Sequence, residues 1–230
     1  MKLLIVIPAY NEQDNIERVV DNLIENYPQY DYLVVNDGSK DRTAQICRDR
    51  GYHFLDLPVN LGLAGAFQAG LRFADRQGYD MAIQFDGDGQ HDPSYIGEMA
   101  ALMEEKDLDI VIGSRFKNQK KRFSLRMMGN QMIQLAIKMT TGITIKDTTS
   151  GMRLLNRSMI HEFAQNLNYG PEPDTIAYLI RNGAKVEEVQ VQMMDRIAGE
   201  SYFNLRRSVE YMIRMCTSII LLQWFRKRRG

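Results

Sequence analysis

Apolar and polar positions fall into blocks along the first half of the chain, and each block keeps its own period. "LLIVIPAY" (3–10) is a continuous apolar run, the pattern of a strand covered on both faces. In "NEQDNIERVVDNLIEN" (11–26), Ile16, Val19, Val20, Leu23 and Ile24 recur at helical spacing behind polar capping residues, Asn11 among them. "YDYLVVNDGS" (30–39) predicts a strand ending in a turn, and "KDRTAQICRDRG" (40–51) a short helix stopped by glycine. A third strand, "YHFLDLP", precedes "LGLAGAFQAGLRFADRQG" (61–78), whose alanines and glycines suit a helix packed tightly on a sheet. "YDMAIQFD" (79–86) predicts strand four, "PSYIGEMAALMEE" (93–105) another helix and "LDIVIGSR" (108–115) another strand.

Such alternation implies an α/β fold, Rossmann-like, with a mostly parallel sheet and helices on both faces. Right-handed crossovers then bring the C-terminal ends of the strands to one edge, where ligands bind. Beyond Arg115 the pattern loosens. A basic loop leads to a helix around 128–141, then "DTTSGMRLLNRSMI", a helix near 173–182, a late strand "KVEEVQVQM" (185–193) and a basic helical tail (204–230). With no repeat or linker, the chain divides into one domain over 1–203 and a C-terminal amphipathic helix over 204–230.

At 230 residues the chain is long enough for one large domain with a buried core. Lysine plus arginine equals aspartate plus glutamate at 29 each, so no overall field argues for nucleic acid. Cys47 and Cys216 have no metal-ligand spacing; reduced thiols favour a cytoplasmic location. The opening apolar run is too short for a signal-peptide core, and no stretch reaches the ~18 apolar residues of a membrane span.

Candidate chemistry gathers at the strand ends. In "FDGDGQHD" (85–92), Asp86 and Asp88 stand two apart, so in extended geometry both carboxylates point one way. Paired carboxylates suggest a hard cation, Mg²⁺ or Mn²⁺, completed by substrate phosphates; a solvated acidic turn is the plain alternative. An EF-hand is excluded, because His91 fills its glycine slot and Gly97 its twelfth position. Asp37 in "VVNDGS" (34–39) can accept hydrogen bonds from a base or ribose, or merely shape a turn. "PAYNE" (8–12) places Pro8, Tyr10 and Glu12 on the same edge. Gly62, Gly65 and Gly70 match no dinucleotide fingerprint, and no P-loop is present. Of the scattered His53, His91 and His161, only His91 lies near the proposed site.

"PAYNE", "VVNDGS", "FDGDGQHDP", "GSR" and "TSGMR", in that order, resemble a family 2 glycosyltransferase of the GT-A fold. The type is similar to the polyprenyl-phosphate sugar synthases, and the match covers roughly residues 1–203. The resemblance implies that Pro8, Tyr10, Glu12, Asp37, Asp86 and Gly87 bind the donor nucleotide. It makes Asp86 and Asp88 the DxD motif, with Gln90 near the metal, and Asp88, Arg115 and Arg153 the residues closest to the chemistry. Arg115, Arg126, Arg153, Arg196 and Ser201 become candidates for an acceptor phosphate. Mannose synthases usually follow that serine with lysine, whereas this chain has Tyr202. "GESYFN" instead resembles bacterial enzymes that load sugars onto undecaprenyl phosphate, some with a small membrane-protein partner; a UDP-sugar donor follows from that likeness. Glu172 and Asp174 in "GPEPD" are the possible base for a hydroxyl acceptor, or else serve the N-terminus of the next helix.

Two basic stretches favour a lipid acceptor on the inner face of a cell membrane. Arg115, Lys117, Lys120, Lys121, Arg122 and Arg126 occur with no acid between 115 and 126. From 206 to 229, seven basic residues against one acid, Glu210, interleave with Tyr211, Met212, Met215, Ile219, Ile220, Leu222, Trp224 and Phe225. That pattern reads as a helix lying on an anionic surface, or packed on its own domain or a partner. A nucleotidyltransferase is disfavoured by "AYNEQDN" after strand one, where a glycine-rich basic loop belongs, and a haloacid-type phosphatase by Gln90. A glycosyltransferase with a sugar hydroxyl acceptor is the runner-up within the class, and a nucleotide-binding scaffold without turnover the rival outside it.

Overall fold

A computed structural model describes residues 2–117, 125–165, 170, 172–194 and 205–221. Seven strands form one sheet in the order β3-β2-β1-β4-β6-β5-β7. They are β1 (Leu3–Ala9), β2 (Asp31–Asn36), β3 (Phe54–Asp56), β4 (Met81–Gln84), β5 (Ile110–Ser114), β6 (Arg153–Asn156) and β7 (Val186–Gln190). The helices are α1 (Ile16–Asn26), α2 (Thr43–Asp49), α3 (Gly62–Gln77), α4 (Ile96–Glu105), α5 (Leu125–Thr141), α6 (Arg157–Gln165), α7 (Pro173–Arg181) and α8 (Leu205–Ile220).

The expected mostly parallel sheet is present. β1 pairs in parallel with β2 and β4, β2 with β3, and β5 with β7. β6 alone runs antiparallel, inserted between β4 and β5. Alternate residues of β1 enter two cores: Leu4 and Val6 join the layer holding α3, α6 and α7, while Leu3, Ile5 and Ile7 join the layer holding α1 and α4. The continuous apolar run of this strand thus reflects burial on both faces.

Small residues bring α3 close to the sheet, since a Cβ on Gly70 would stand 2.2 Å from Val6 Cγ1. α1 starts later than its sequence pattern suggests, at Ile16, with Asn15 as its N-cap residue. Asn11 does not cap it. Its backbone lies in the left-handed region (φ 57°), its amide donates to Ser39 Oγ and its Oδ1 accepts from the Lys40 amide. Together with Glu12 N–H donating to Thr43 Oγ1, these bonds fasten the loop after β1 to the loop after β2.

α8 packs on α5 and α7. It buries Met215 and Ile219, and Met212 covers Gly129 so closely that a Cβ there would lie on its sulfur. Among the described residues no helix is long and apolar enough to cross a membrane.

Candidate active site

The ends of β1, β2, β4 and β5 and the start of β6 meet on one rim. Pro8 pairs with Val35 in the ladder, and Tyr10 follows half-buried. Glu12 accepts from Asn15 Nδ2 at 2.9 Å. Asp37 is 2% exposed, with its Oδ1 accepting from the Leu61 amide at 2.7 Å. Gly38 sits at φ +64°, and a Cβ on it would lie 2.7 Å from the backbone at Val59 and Asn60. Only glycine therefore lets the β3–α3 loop close over Asp37.

The acidic turn leaves β4 directly. Gly87 passes so near β1 that a Cβ would stand 3.2 Å from the Pro8 carbonyl oxygen. Gly89 is left-handed (φ +77°), and a Cβ there would be 2.5 Å from Arg18 Nη2. Arg18 donates to the Asp88 carbonyl at 3.4 Å, a cationic support from α1 that spacing does not reveal. Asp88, 5% exposed, accepts from the Gln90 amide at 3.0 Å. The Gln90 side chain reaches past β7, with Nε2 donating to the Met194 carbonyl at 3.4 Å.

Asp86 is the more open carboxylate, with a third of its side chain exposed. Gly151 of the "TSGMR" segment backs it, since a Cβ there would meet Asp86 Oδ2 at 3.0 Å. Among the described residues no group of three or more His, Cys, Asp or Glu forms a complete cation cage. Two hard carboxylates on one turn, with the rest of the shell left to substrate oxygens, fit the way Mg²⁺ and Mn²⁺ are held at phosphate sites.

Two arginines at the ends of β5 and β6 on this rim are held differently. Arg115 donates from Nε and Nη2 to Asp147 at 2.7 and 2.9 Å, and Asp147 is fully buried. Asp147 is held in turn by Glu188, which accepts from the Asp147 and Lys146 amides. The Asp147 carboxylate, and more distantly Asp86, holds the Arg115 guanidinium above its ordinary pKa.

Arg153 is 3% exposed and donates from Nη2 to the Thr148 carbonyl. Its Nε and Nη1 have no partner among the described residues, and neither has Oε1 of Gln84, opposite it in the β4–β6 ladder. Burial pulls its pKa down, opposed by Tyr211, Asp147, Glu172 and Asp174. A buried cation with idle donors is costly unless something anionic meets it.

Glu172 and Asp174 are brought to this place by α7, and α8 engages both. Ser218 donates to Asp174 Oδ2 at 2.7 Å, and Arg214 Nη2 lies 3.4 Å from Glu172 Oε1. Burial pushes the Glu172 carboxyl up, opposed by Arg214. Arg126 lies in α5 with its side chain outside the described residues; Arg196, Ser201, Trp224 and Phe225 lie wholly outside them.

A doubly covered α/β sheet with nucleotide-type turns and a paired-aspartate motif on one rim defines a GT-A-type enzyme, and comparison with known proteins gives its family. The chain belongs to glycosyl transferase family 2, whose model matches residues 4–163, and it is a glycosyltransferase. It is 30% identical over 223 residues to an undecaprenyl-phosphate mannosyltransferase of Micrococcus luteus, covering 87% of each chain. A UDP-N-acetylglucosamine–dolichyl-phosphate N-acetylglucosaminyltransferase of Methanococcus voltae is 27% identical over 213 residues, covering 83% of this chain and 84% of that one. In fold it resembles glucosyl-3-phosphoglycerate synthase of Mycobacterium tuberculosis, solved with Mn²⁺, UDP-glucose and phosphoglyceric acid. The TM-score is 0.69 at 16% identity, over 100% of this chain and 82% of that one.

Proposed function

We propose that this glycosyltransferase moves a sugar from a nucleotide diphosphate to a polyprenyl phosphate, inverting the anomeric carbon, at the inner face of a cell membrane. Undecaprenyl phosphate is the acceptor and a UDP-sugar the donor, serving cell-envelope polysaccharide. The observation that carries the reading is Arg153: buried opposite Gln84 in the β4–β6 ladder, with two nitrogens idle among the described residues. The named acceptors of both curated relatives are lipid phosphates, and an arginine fork matches a phosphate.

Pro8, Tyr10, Glu12, Asp37 and Gly87 border the nucleoside, and Asp86 and Asp88, with Gln90 alongside, would hold Mg²⁺ or Mn²⁺. When bound, such an ion supplies neutralisation of the charge building on the departing diphosphate. Arg115, kept in place by Asp147, faces the donor phosphates, while Arg153 grips the acceptor, with Arg126, Arg196 and Ser201 as further contacts. A phosphate monoester with a second pKa of about 6 is already ionised near neutrality, so the attacking oxygen needs no general base. That suits Glu172 and Asp174, which α8 already occupies. The basic stretches at 115–126 and 206–229 would draw the protein to an anionic membrane or a small membrane partner.

The test is transfer of labelled sugar from UDP- and GDP-donors to undecaprenyl phosphate in detergent, with Mg²⁺ or Mn²⁺ and Asp88→Ala as control. Metal-dependent, chloroform-soluble label that is absent in the variant supports the reading. Nucleotide binding without lipid product from any donor, even with membranes added, overturns it in favour of a hydroxyl acceptor.

A further inference from the structure

His91 is almost wholly buried, at 3% exposed, within the acidic turn. Its ring packs edge-on to Phe85 with centroids 5.3 Å apart. Its Nδ1 accepts the backbone N–H of Asp86 at 3.0 Å. A nitrogen that accepts an N–H carries no proton of its own, so the ring proton sits on Nε2. That nitrogen stands 3.4 Å from Asp86 Oδ2. One imidazole therefore meets both the main chain and the carboxylate of the same residue.

The other carboxylate oxygen has a separate support. Gln84, fully buried two residues earlier, donates from Nε2 to Asp86 Oδ1 at 3.3 Å. Gly151 lies close enough behind Oδ2 to leave no room for a side chain there, while a third of the Asp86 side chain stays exposed. Both donors are uncharged, so they orient the acid without supplying the counter-charge that would compete with a cation. A lysine or arginine at either place would do the opposite.

We infer that His91 and Gln84 are positioning residues that pre-set the Asp86 carboxylate for a divalent cation carrying the donor diphosphate. The inference rests on the metal reading of Asp86 and Asp88. Outer partners of ligating side chains change metal affinity by about 10–100-fold when removed, and the same range applies here. The Gln84 role needs no fold-wide cost, because its Oε1 has no partner among the described residues to lose.

The experiment titrates Mn²⁺ into the full chain with UDP, reading free Mn²⁺ by electron paramagnetic resonance, and measures metal-free UDP affinity calorimetrically. His91→Ala and Gln84→Met should each weaken Mn²⁺ binding by about 10-fold or more, leaving metal-free UDP affinity unchanged. His91→Gln, whose Oε1 can accept the Asp86 amide, should restore part of the loss. Unaltered Mn²⁺ affinity in Gln84→Met, which keeps the turn's backbone bond, overturns the proposal even if His91→Ala does not fold. Equal loss of metal-free and metal-dependent UDP binding overturns it too, assigning His91 a structural role alone. If the unsubstituted protein binds Mn²⁺ no better with UDP than without, the metal reading fails and the positioning role falls with it.

Discussion

Arg115 and Asp147, 32 residues apart, form a two-point ion pair whose carboxylate is fully buried and whose guanidinium is one-third exposed. The pair joins the end of β5 to the loop before β6, where Arg115 Nη2 also donates to Thr149 Oγ1 at 3.1 Å. Removing the cation would strand a buried charge, which typically costs ~3–5 kcal/mol. Arg115→Met should therefore lower stability by about 3 kcal/mol in urea unfolding. Adding Asp147→Asn should recover part of that loss, because the stranded charge is gone. Equal stability of Arg115→Met and the unsubstituted chain would show the pair to be ornamental.

Arg153 predicts the reverse balance. Its burial with idle donors is a cost to the fold that a ligand would relieve. Replacing such a charge by a well-packed apolar side chain is neutral to stabilising by roughly 1–4 kcal/mol. Arg153→Met should keep or raise the melting temperature while transfer to lipid phosphate falls by about 100-fold, as expected for two lost charge-assisted hydrogen bonds. A folded variant with full transfer activity would remove Arg153 from the acceptor site.

Gly38 tests the nucleoside rim. Alanine at its positive φ costs about 1–2 kcal/mol, and its Cβ would collide with main chain at Val59 and Asn60. The shift would pull the Leu61 amide from Asp37. Gly38→Ala should weaken UDP binding by about tenfold, equivalent to ~1.4 kcal/mol, in calorimetry on protein shown to be folded. Unchanged affinity would place the nucleoside elsewhere.

The Glu172 carboxyl sets a pH dependence. Its folded-state pKa is raised above the ordinary 4.5, burial being the main cause. A raised value means the proton is held more tightly in the folded protein, so the stabilisation is complete below 4.5 and is lost as pH rises through the folded-state value. Glu172→Gln cannot ionise. Its melting temperature relative to the unsubstituted chain should climb as pH increases above 4.5, then level off. A difference that stays flat with pH would mean that Arg214 fully offsets the burial.

Most of the scaffold was legible from period alone. The apolar runs of β1, β2, β4 and β5, the helical spacing of α1, the alanines and glycines of α3 and the strand–helix alternation that places α4 are local signals, and each strand end carries its polar turn in sequence. β6 was not legible. Its residues, Arg153–Asn156, mix one cation, two apolar positions and an amide, and its antiparallel direction is set by hydrogen bonds to β4 and β5. The supports of the acidic turn were hidden because they come from far along the chain: Arg18 reaches Asp88 across 70 positions, and Gly151 approaches Asp86 from the loop before β6.

By itself, then, the sequence determined the α/β alternation, the rim on which the polar turns collect, and the pair Asp86 and Asp88. Those features depend on neighbours within a turn or a strand. Only the tertiary structure decided which arginine is ion-paired and which keeps two nitrogens without a partner among the described residues, that α8 occupies Glu172 and Asp174, and that His91 accepts the Asp86 amide. Hydrogen bonds and burial join residues that chain order keeps apart, and folding alone brings their partners within reach.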